Sequence, residues 1–261
     1  MLFHGDGLPI TTAGLDHGCR TLGVGPAELW TVLAIETDGF GFLPDRRPHL
    51  RFERHVFHAV TKGTFDVSHP DISNAIPGGY AGGAAEYPRL EVAVKLDYES
   101  ALDSAFWGIG QILGFNCERA GSEYVGDMVA DMIRDEDSQL QAVVTYIINS
   151  GLAPALQRRD WEAFAAGYNG PASREKDYVS RLAAANAKYH AALPDLTLRL
   201  AQVALLYIGI DPGPIDGVQG PRTRAAVRTF QAQQQLPITG TLDPLTDARL
   251  LAAAFPEEWP L

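Results

Sequence analysis

Apolar residues recur at helical spacing in several separate segments of this chain, and a glycine or a proline follows most of them. The clearest segment runs from Ser138 to Ser150, with Gly151 after it, and its apolar residues are Leu140, Val143, Val144, Ile147 and Ile148. A repeat of three and four residues places these side chains on one face of a helix. The same pattern predicts helices over 26–36, 160–168 and 176–191. We therefore predict a mainly α fold.

A break near Leu193-Pro194-Asp195 divides the chain into two parts, which we predict to be domains over residues 1–193 and 194–261. Pro194 disfavours a continuing helix. After the break, three short helices are predicted at about 198–208, 221–235 and 244–254, with turn-rich segments between them. No internal repeat stands out in either part.

Between the predicted helices, the first part has less regular segments. Pro44 to Phe52 is expected to be extended or turn-like. Residues 63–88 are rich in Gly, Pro, Ser, Asn and Asp, which predicts a long loop with little regular structure. Asp97 is placed to cap a helix through Ala105.

Charge and cysteine content exclude several classes of protein. The formal net charge is −11, which argues against binding to nucleic acid or to an anionic membrane surface. The two cysteines, Cys19 and Cys117, are too few for a disulfide framework, and two free thiols are favoured over a pair. The N-terminus has no secretory signal pattern, and no run of 18 apolar residues predicts a membrane span.

Glu36 is the most informative single position. It follows Leu29, Val32 and Leu33 at helical spacing, so it is expected on the apolar face and at the C-terminal end of its helix. Burial and the helix dipole both disfavour an anion there, so we expect a raised pKa for Glu36. A carboxyl group kept protonated near neutral pH is suited to act as a general acid on a glycosidic bond. The alternative is a helix-end Glu that bends out into water.

A second carboxylate, Glu53, follows after a glycine-rich turn. A helix, a turn and a returning strand can place Glu36 and Glu53 on opposite walls of one cleft, the usual arrangement for glycoside hydrolysis. The alternative for Glu53 is a structural ion pair with a neighbouring arginine, Arg47, Arg51 or Arg54.

Two further segments carry polar groups suited to a sugar chain. AFWGIGQILGFN places Gln111 among glycines, where an amide can hydrogen-bond an acetamido group; the alternative is a buried helix junction. FAAGYNGP places Tyr168 and Asn169 at a helix end, where the alternative is a structural Asn-Gly cap. His55 and His58 have a metal-ligand spacing, but no third ligand is evident, so we predict no metal site.

In their order along the chain, these segments resemble a known family. AIETDGFGFLPDRRPHLRFERHVF, then ALDSAFWGIGQILGFN, then DWEAFAAGYNGP is similar to the N-acetylmuramidase family of phage endolysins, over about residues 25–190. The resemblance implies a lysozyme-like helical domain with a small β or extended segment. It places Glu36 at the family's catalytic glutamate and Glu53 at its second carboxylate, a candidate base. Gln111, Tyr168 and Asn169 match positions that line the glycan cleft.

The second part resembles the peptidoglycan-binding domain type 1, over about residues 196–254. The matching core runs D-G-x-x-G-P-x-T-x-x-A-V-x-x-F-Q. The resemblance implies a three-helix wall-binding module, and it marks as candidate wall-binding residues Asp216, Gly217, Gly220, Thr223, Phe230 and Gln231. Much of this motif is also expected to pack the module's core. A weak binder tethered to an enzyme raises the effective concentration of substrate.

The two resemblances together predict an endolysin-type muramidase that hydrolyses the bond between N-acetylmuramic acid and N-acetylglucosamine. We expect peptidoglycan as partner, no cofactor, a monomer, and no stable membrane association. The expected location is the host cytoplasm until a holin opens the membrane. The alternatives are a lytic transglycosylase on the same scaffold, a non-catalytic wall-binding or virion structural protein, and a metal-dependent amidase.

Overall fold

The computed structural model describes residues 3–168 and 176–255, and this part of the chain is mainly helical. Three short strands interrupt the helices. The helices are α1 (Thr12–Leu22), α2 (Pro26–Thr37), α3 (Arg54–Val60), α4 (Glu86–Leu96), α5 (Tyr98–Asp103), α6 (Val125–Arg134), α7 (Glu136–Asn149), α8 (Ala153–Arg158), α9 (Trp161–Tyr168), α10 (Lys176–Ala191), α11 (Leu196–Tyr207), α12 (Pro221–Gln233) and α13 (Pro244–Ala254). The predicted mainly α class is confirmed.

Helix α2 runs through the core of the first part. Pro26 occupies its first turn, where a missing backbone N–H costs little, and Leu29, Val32 and Leu33 are almost completely buried. The helix ends at Thr37, one residue beyond the predicted end. Asp38 then takes a left-handed conformation with φ of 55°, and Gly39 follows with φ of 82°. This tight turn ends the helix.

A small antiparallel sheet lies beside α2, in the strand order β1 (Leu50–Phe52), β2 (Ala105–Trp107), β3 (Ile112–Leu113). Phe52 pairs with Ala105 on one side of β2, and Trp107 pairs with Ile112 on the other. The β2–β3 hairpin replaces the buried helix junction that was the alternative for this segment. The helix predicted from Asp97 is correctly capped but ends at Asp103, because the next residues pair with β1.

Helix α10 packs antiparallel along α2. Asn186 donates a hydrogen bond of 3.1 Å to the hydroxyl of Thr31, and one turn further on His190 Nε2 lies 2.8 Å from a carboxylate oxygen of Glu28. Contacts therefore run towards the start of α2 as α10 proceeds to its end. This direction brings the first turn of α10 next to the last turn of α2.

Helix α1 was not predicted, and its glycines explain why. Glycine in a helix interior is unfavourable, so TAGLDHGCRTL has a weak helical pattern. In the structure a Cβ at Gly14 would lie 2.1 Å from a carboxylate oxygen of Asp137, so the glycine permits close packing on α7. Thr11 caps α1 and also donates to Asp137 at 2.6 Å. The predicted loop over 63–88 ends earlier than expected, at a short 3-10 helix (Gly83–Ala85) that leads directly into α4 at Glu86.

The second part contains the three predicted helices, α11, α12 and α13, and they surround a core of their own. Two buried glutamines hold its turns, and each accepts from a glycine N–H and donates to a threonine in the first turn of the next helix. The hydrogen bonds join Gln202 to Gly217 and Thr223, and Gln231 to Gly240 and Thr246. The module is thus built as a structural repeat, with the pattern G-x-x-x-P-x-T in both turns, which inspection of the sequence missed.

Side chains cross between the two parts. Phe40 and Phe42, from the turn after α2, are buried in the same cluster as the core of the second part. Tyr207 of α11 donates to the carbonyl of Gly7 at 2.6 Å. The predicted boundary at residues 193 and 194 falls between α10 and α11, and it stays a prediction as a domain boundary. Cys19 and Cys117 are free thiols.

Candidate active site

Glu36 lies in the last turn of α2 and is partly exposed. Because Glu36 lies at the C-terminal end of the helix, the helix dipole opposes a negative charge there. The apolar face before it is fully buried, which holds the helix end in place. Glu36 therefore lies at a fixed, partly exposed helix end beside the core.

Tyr178 approaches this carboxyl group from the first turn of α10. Its hydroxyl donates a hydrogen bond of 2.6 Å to Glu36 Oε1. Burial raises the pKa of Tyr178 far above its ordinary value, and the charge of Glu36 raises it further, so the phenol remains a donor at any physiological pH. No sequence motif singled out Tyr178. Its place near the start of a long helix that packs on α2 was the signal that could have found it.

The tip of the β2–β3 hairpin lies next to Glu36. Thr37 donates a hydrogen bond of 2.9 Å to the carbonyl of Ile109, so the residue after Glu36 is attached to the hairpin. Gln111 is partly exposed on this tip, in a left-handed conformation with φ of 47°. Its side-chain amide donates to the carbonyl of Gly108 at 3.0 Å. The structure thus places Gln111 on the loop beside the candidate acid.

Tyr168 supports the same loop from below. Its hydroxyl donates a hydrogen bond of 2.8 Å to the carbonyl of Gly110. The ring is buried, stacked on Phe164 at 5.3 Å between centroids and edge-on to Tyr146 at 5.4 Å. Burial, followed by the charge of Glu36, raises the pKa of Tyr168 well above its ordinary value. Asn169, the other candidate in this segment, lies outside the described residues.

Glu53 follows β1 and is held in a network of charged and polar groups. Its carboxylate lies 3.0 Å from Arg51 Nε and accepts a hydrogen bond of 2.8 Å from Tyr80. The Glu53 side chain is 4% exposed, and His55 Nδ1 lies 3.1 Å from it. The ion pair with Arg51 is one of the pairs that the sequence left open as the alternative for Glu53. Tyr80 is a group that sequence inspection missed.

Glu36 and Glu53 lie near opposite ends of the β1–β2 pair. Glu53 follows Phe52, which pairs with Ala105, whereas Thr37 contacts Ile109 at the hairpin tip. The three residues of β2, Ala105–Trp107, lie between these two ends, which corresponds to ~10 Å of extended backbone. Glu36 and Glu53 are therefore attached to opposite ends of this strand pair.

An aromatic and cationic surface borders Glu53. The guanidinium of Arg51 lies 4.4 Å from the centroid of the Phe106 ring and 5.9 Å from that of Tyr80. Tyr80 is 49% exposed, and it belongs to the glycine-rich segment within the predicted loop. Exposed aromatic faces of this kind are suited to stacking on a planar or ring-shaped ligand.

His55 and His58 face different acidic partners. His58 Nδ1 lies 2.8 Å from Asp66, and Ser73 donates to the same carboxylate at 2.5 Å, so this group fixes the loop that follows α3. Within residues 3–168 and 176–255, no group of three or more His, Cys, Asp or Glu side chains could hold a metal ion. In the same part of the chain, no helix is both long enough and apolar enough to cross a bilayer.

Comparison with known proteins identifies the family of this chain. The family model for N-acetylmuramidase matches residues 25–190, which is more than half of the chain. The chain belongs to the N-acetylmuramidase family. This N-acetylmuramidase is thus a glycoside hydrolase, and the model for a putative peptidoglycan binding domain matches its residues 196–250.

A solved structure similar to this N-acetylmuramidase is the crystal structure of Burkholderia AP3 phage endolysin. The two chains are 35% identical, and the match covers 70% of this chain and 72% of that one, with a TM-score of 0.64. None of the curated proteins compared with the chain matches it.

The candidate wall-binding residues of this muramidase lie mostly inside its second part. Thr223, Phe230 and Gln231 are almost completely buried, and Gly217 is buried with its N–H on Gln202. Asp216 and Gly220 are partly exposed. Asp216 accepts a hydrogen bond from the N–H of Val218, and Gly220 precedes α12. The motif residues therefore hold the turns of the module, as the sequence allowed.

Proposed function

We infer that this muramidase hydrolyses the β-1,4 bond between N-acetylmuramic acid and N-acetylglucosamine, with Glu36 as the general acid. The observation that carries this proposal is the Glu36 carboxyl group at the end of a buried helix, held by the hydroxyl of Tyr178 at 2.6 Å. A fixed carboxyl group on a glycan cleft can protonate the glycosidic oxygen as the bond breaks.

Glu53 is proposed as the second carboxylate. Arg51 and Tyr80 hold its two oxygens in a defined direction. A carboxylate fixed in this way can orient a water and accept its proton, while Glu36 gives a proton to the leaving oxygen. We propose that the water is activated between the two carboxyl groups, on the far face of the sugar, an arrangement that gives inversion.

Gln111, Tyr168 and Asn169 are proposed to position the sugars. The Gln111 amide lies on the hairpin tip that Thr37 contacts, and it offers a donor and an acceptor to an acetamido group. Tyr168 acts from below, because its hydroxyl holds the carbonyl of Gly110 and so shapes the tip. No step in this scheme requires a cofactor.

In the cell, we propose an endolysin-type role. The similar solved structure is that of a phage endolysin, and the peptidoglycan-binding match supports the cell wall as the site of action. The residues offered as wall contacts in the module remain Asp216 and Gly220 on its surface, with Gly217, Thr223, Phe230 and Gln231 supporting them. We expect a monomer that reaches the wall after a holin opens the membrane.

A Glu36→Gln variant tests the proposal. We expect it to fold normally and to lose at least about 100-fold in the rate of clearing of outer-membrane-stripped cells, because the amide has no proton to give. Asp38→Asn is the matched control, since this exposed carboxylate lies two residues away and should be dispensable. Full activity in Glu36→Gln would contradict the assignment, and inactive wild-type protein would favour a non-catalytic wall-binding protein.

A further inference from the structure

Arg199 of α11 reaches out of the second part of the chain into the first. It is completely buried, and its guanidinium makes a two-pronged ion pair with the equally buried Glu136, at 2.6 and 2.8 Å. Trp30 and Phe40 cover the guanidinium, with ring centroids 5.2 and 5.5 Å away. The geometry of such a completely buried ion pair is strongly constrained, because any displacement separates a buried charge from its partner.

The same guanidinium also holds the turn that ends the catalytic helix. Arg199 Nη2 donates a hydrogen bond of 2.6 Å to the carbonyl of Gly39. Glu136 accepts a hydrogen bond of 2.7 Å from the N–H of Gly41, so the Arg199–Glu136 pair binds this turn at two points. Gly39 is the third residue after Glu36. A cation at the carbonyl end of a helix also offsets the helix dipole there.

The first turn of α7 connects the Arg199–Glu136 ion pair to the tip of the β2–β3 hairpin, the other loop beside Glu36. Gln139, one turn after Glu136, accepts a hydrogen bond of 2.7 Å from the N–H of Ile109. Ile109 in turn accepts from Thr37, the residue next to Glu36. Both backbone segments that flank the candidate acid are therefore fixed to α7, and Arg199 supplies the charge that keeps Glu136 in place.

We propose that Arg199 is a positioning residue for Glu36, and that the wall-binding module is thereby a part of the active-site framework and not only a tethered binder. This inference rests on the proposed function of Glu36. Loss of the Gly39 contact frees the helix end by a fraction of an ångström or more. A displacement of about 1 Å at a reacting group can cost up to about 100-fold in rate.

The test uses the full chain with Arg199→Lys, which keeps a positive charge near Glu136. A lysine cannot grip both carboxylate oxygens and the Gly39 carbonyl together. We expect kcat on purified sacculi to fall by about 10-fold or more, with KM within about twofold of wild type. The same fall in kcat is expected on soluble glycan strands stripped of peptides, since the positioning of Glu36 does not depend on wall binding.

Tyr207→Phe is the matched control. Tyr207 is on the same helix and also crosses to the first part, and phenylalanine keeps its ring contact with Phe40 while removing only the hydrogen bond to Gly7. We expect its kcat and KM to match those of wild type. If Arg199→Lys does not fold, Glu136→Gln is measured in its place, because it keeps an acceptor but loses the two-pronged pair, and the same loss of kcat is expected.

Two results would overturn the proposal. An unchanged kcat in the folded variant means that the turn does not need Arg199, and a raised KM with unchanged kcat means that Arg199 serves wall binding. Glu36→Gln is assayed in parallel. If that variant is active, the proposed function fails; if it is inactive while Arg199→Lys retains full kcat, the positioning role alone fails.

Discussion

The hydroxyl of Tyr178 donates a hydrogen bond of 2.6 Å to Glu36, and so joins the first turn of α10 to the last turn of α2. This contact is a consequence of the antiparallel packing of the two helices. A hydrogen bond donated to a carboxylate favours its charged form, whereas the helix end disfavours it. The tyrosine is thus placed to adjust the pH at which Glu36 can give a proton.

Tyr178→Phe should move the pH profile of the enzyme. Without the donated hydrogen bond the ionised form of Glu36 is less favoured, so activity should persist to higher pH, with the alkaline limb shifted up by about one unit. The measurement is the pH dependence of kcat/KM on purified sacculi. Tyr189→Phe, on the same helix but against Trp30, is the control and should leave the limb in place. An unmoved limb in Tyr178→Phe would show that the contact has no part in catalysis.

Glu53→Gln should reduce kcat by about 100-fold or more if this carboxylate accepts the proton of the attacking water. Tyr80→Phe keeps the charge and the ion pair with Arg51, and it removes one hydrogen bond, so its loss should be under about 10-fold. Steady-state rates of both folded variants make the comparison. Equal and small losses of kcat in Glu53→Gln and Tyr80→Phe would contradict a catalytic role and would indicate that Glu53 is structural.

The pair of Arg199 and Glu136 should dominate the stability of the contact between the two parts. Arg199→Met leaves the buried Glu136 charge without its cationic partner, which costs about 3–5 kcal/mol and lowers Tm on the order of 10 °C. Arg222→Ala removes the exposed pair with Asp211 and should cost at most about 1 kcal/mol. Calorimetry of both variants at neutral pH is the check. Similar, small losses in the two would contradict the buried-pair account.

His49 should make folding sensitive to acid. Burial lowers the pKa of His49 below its ordinary 6.5, although the charges of Glu136 and Asp38 act in the opposite direction. The unfolded chain therefore binds a proton at this site more readily, so stability falls as pH falls below about 6.5. We expect the loss of Tm between pH 7.5 and 5.5 to be smaller in His49→Gln than in wild type. An equal loss in both would assign the acid sensitivity to other groups.

Helices with a regular apolar face were predictable from sequence. The predicted segments at 138–150 and 176–191 correspond closely to α7 and α10, because the apolar period and the flanking residues agree there. Helices α3, α4, α6 and α8 were not predicted, although α6 has a regular apolar face. Helix α1 and the β2–β3 hairpin were missed because their glycines are unfavourable locally and are required by close packing, such as that of Gly14 on Asp137 and of Gly110 on Val143.

The candidate site was predictable only in part, for a similar reason. Glu36 has a helical pattern before it and a motif around it, so it could be found. Tyr178 and Arg199 act on it from helices that are distant along the chain, at 142 and 163 residues, and nothing local marks them. Tyr80 lies in a loop whose composition predicted only irregular structure. Such contacts are set by the packing of α10, α11 and the loop against the first helices.

The most direct test of the central claim is the mass of the products. Purified peptidoglycan is digested with the full-length protein, and the soluble fragments are analysed by mass spectrometry before and after borohydride reduction. A hydrolase that uses Glu36 and an activated water gives fragments with a reducing N-acetylmuramic acid end, which borohydride reduces. Fragments lighter by one water and resistant to reduction, the anhydro products of a lytic transglycosylase, would contradict it.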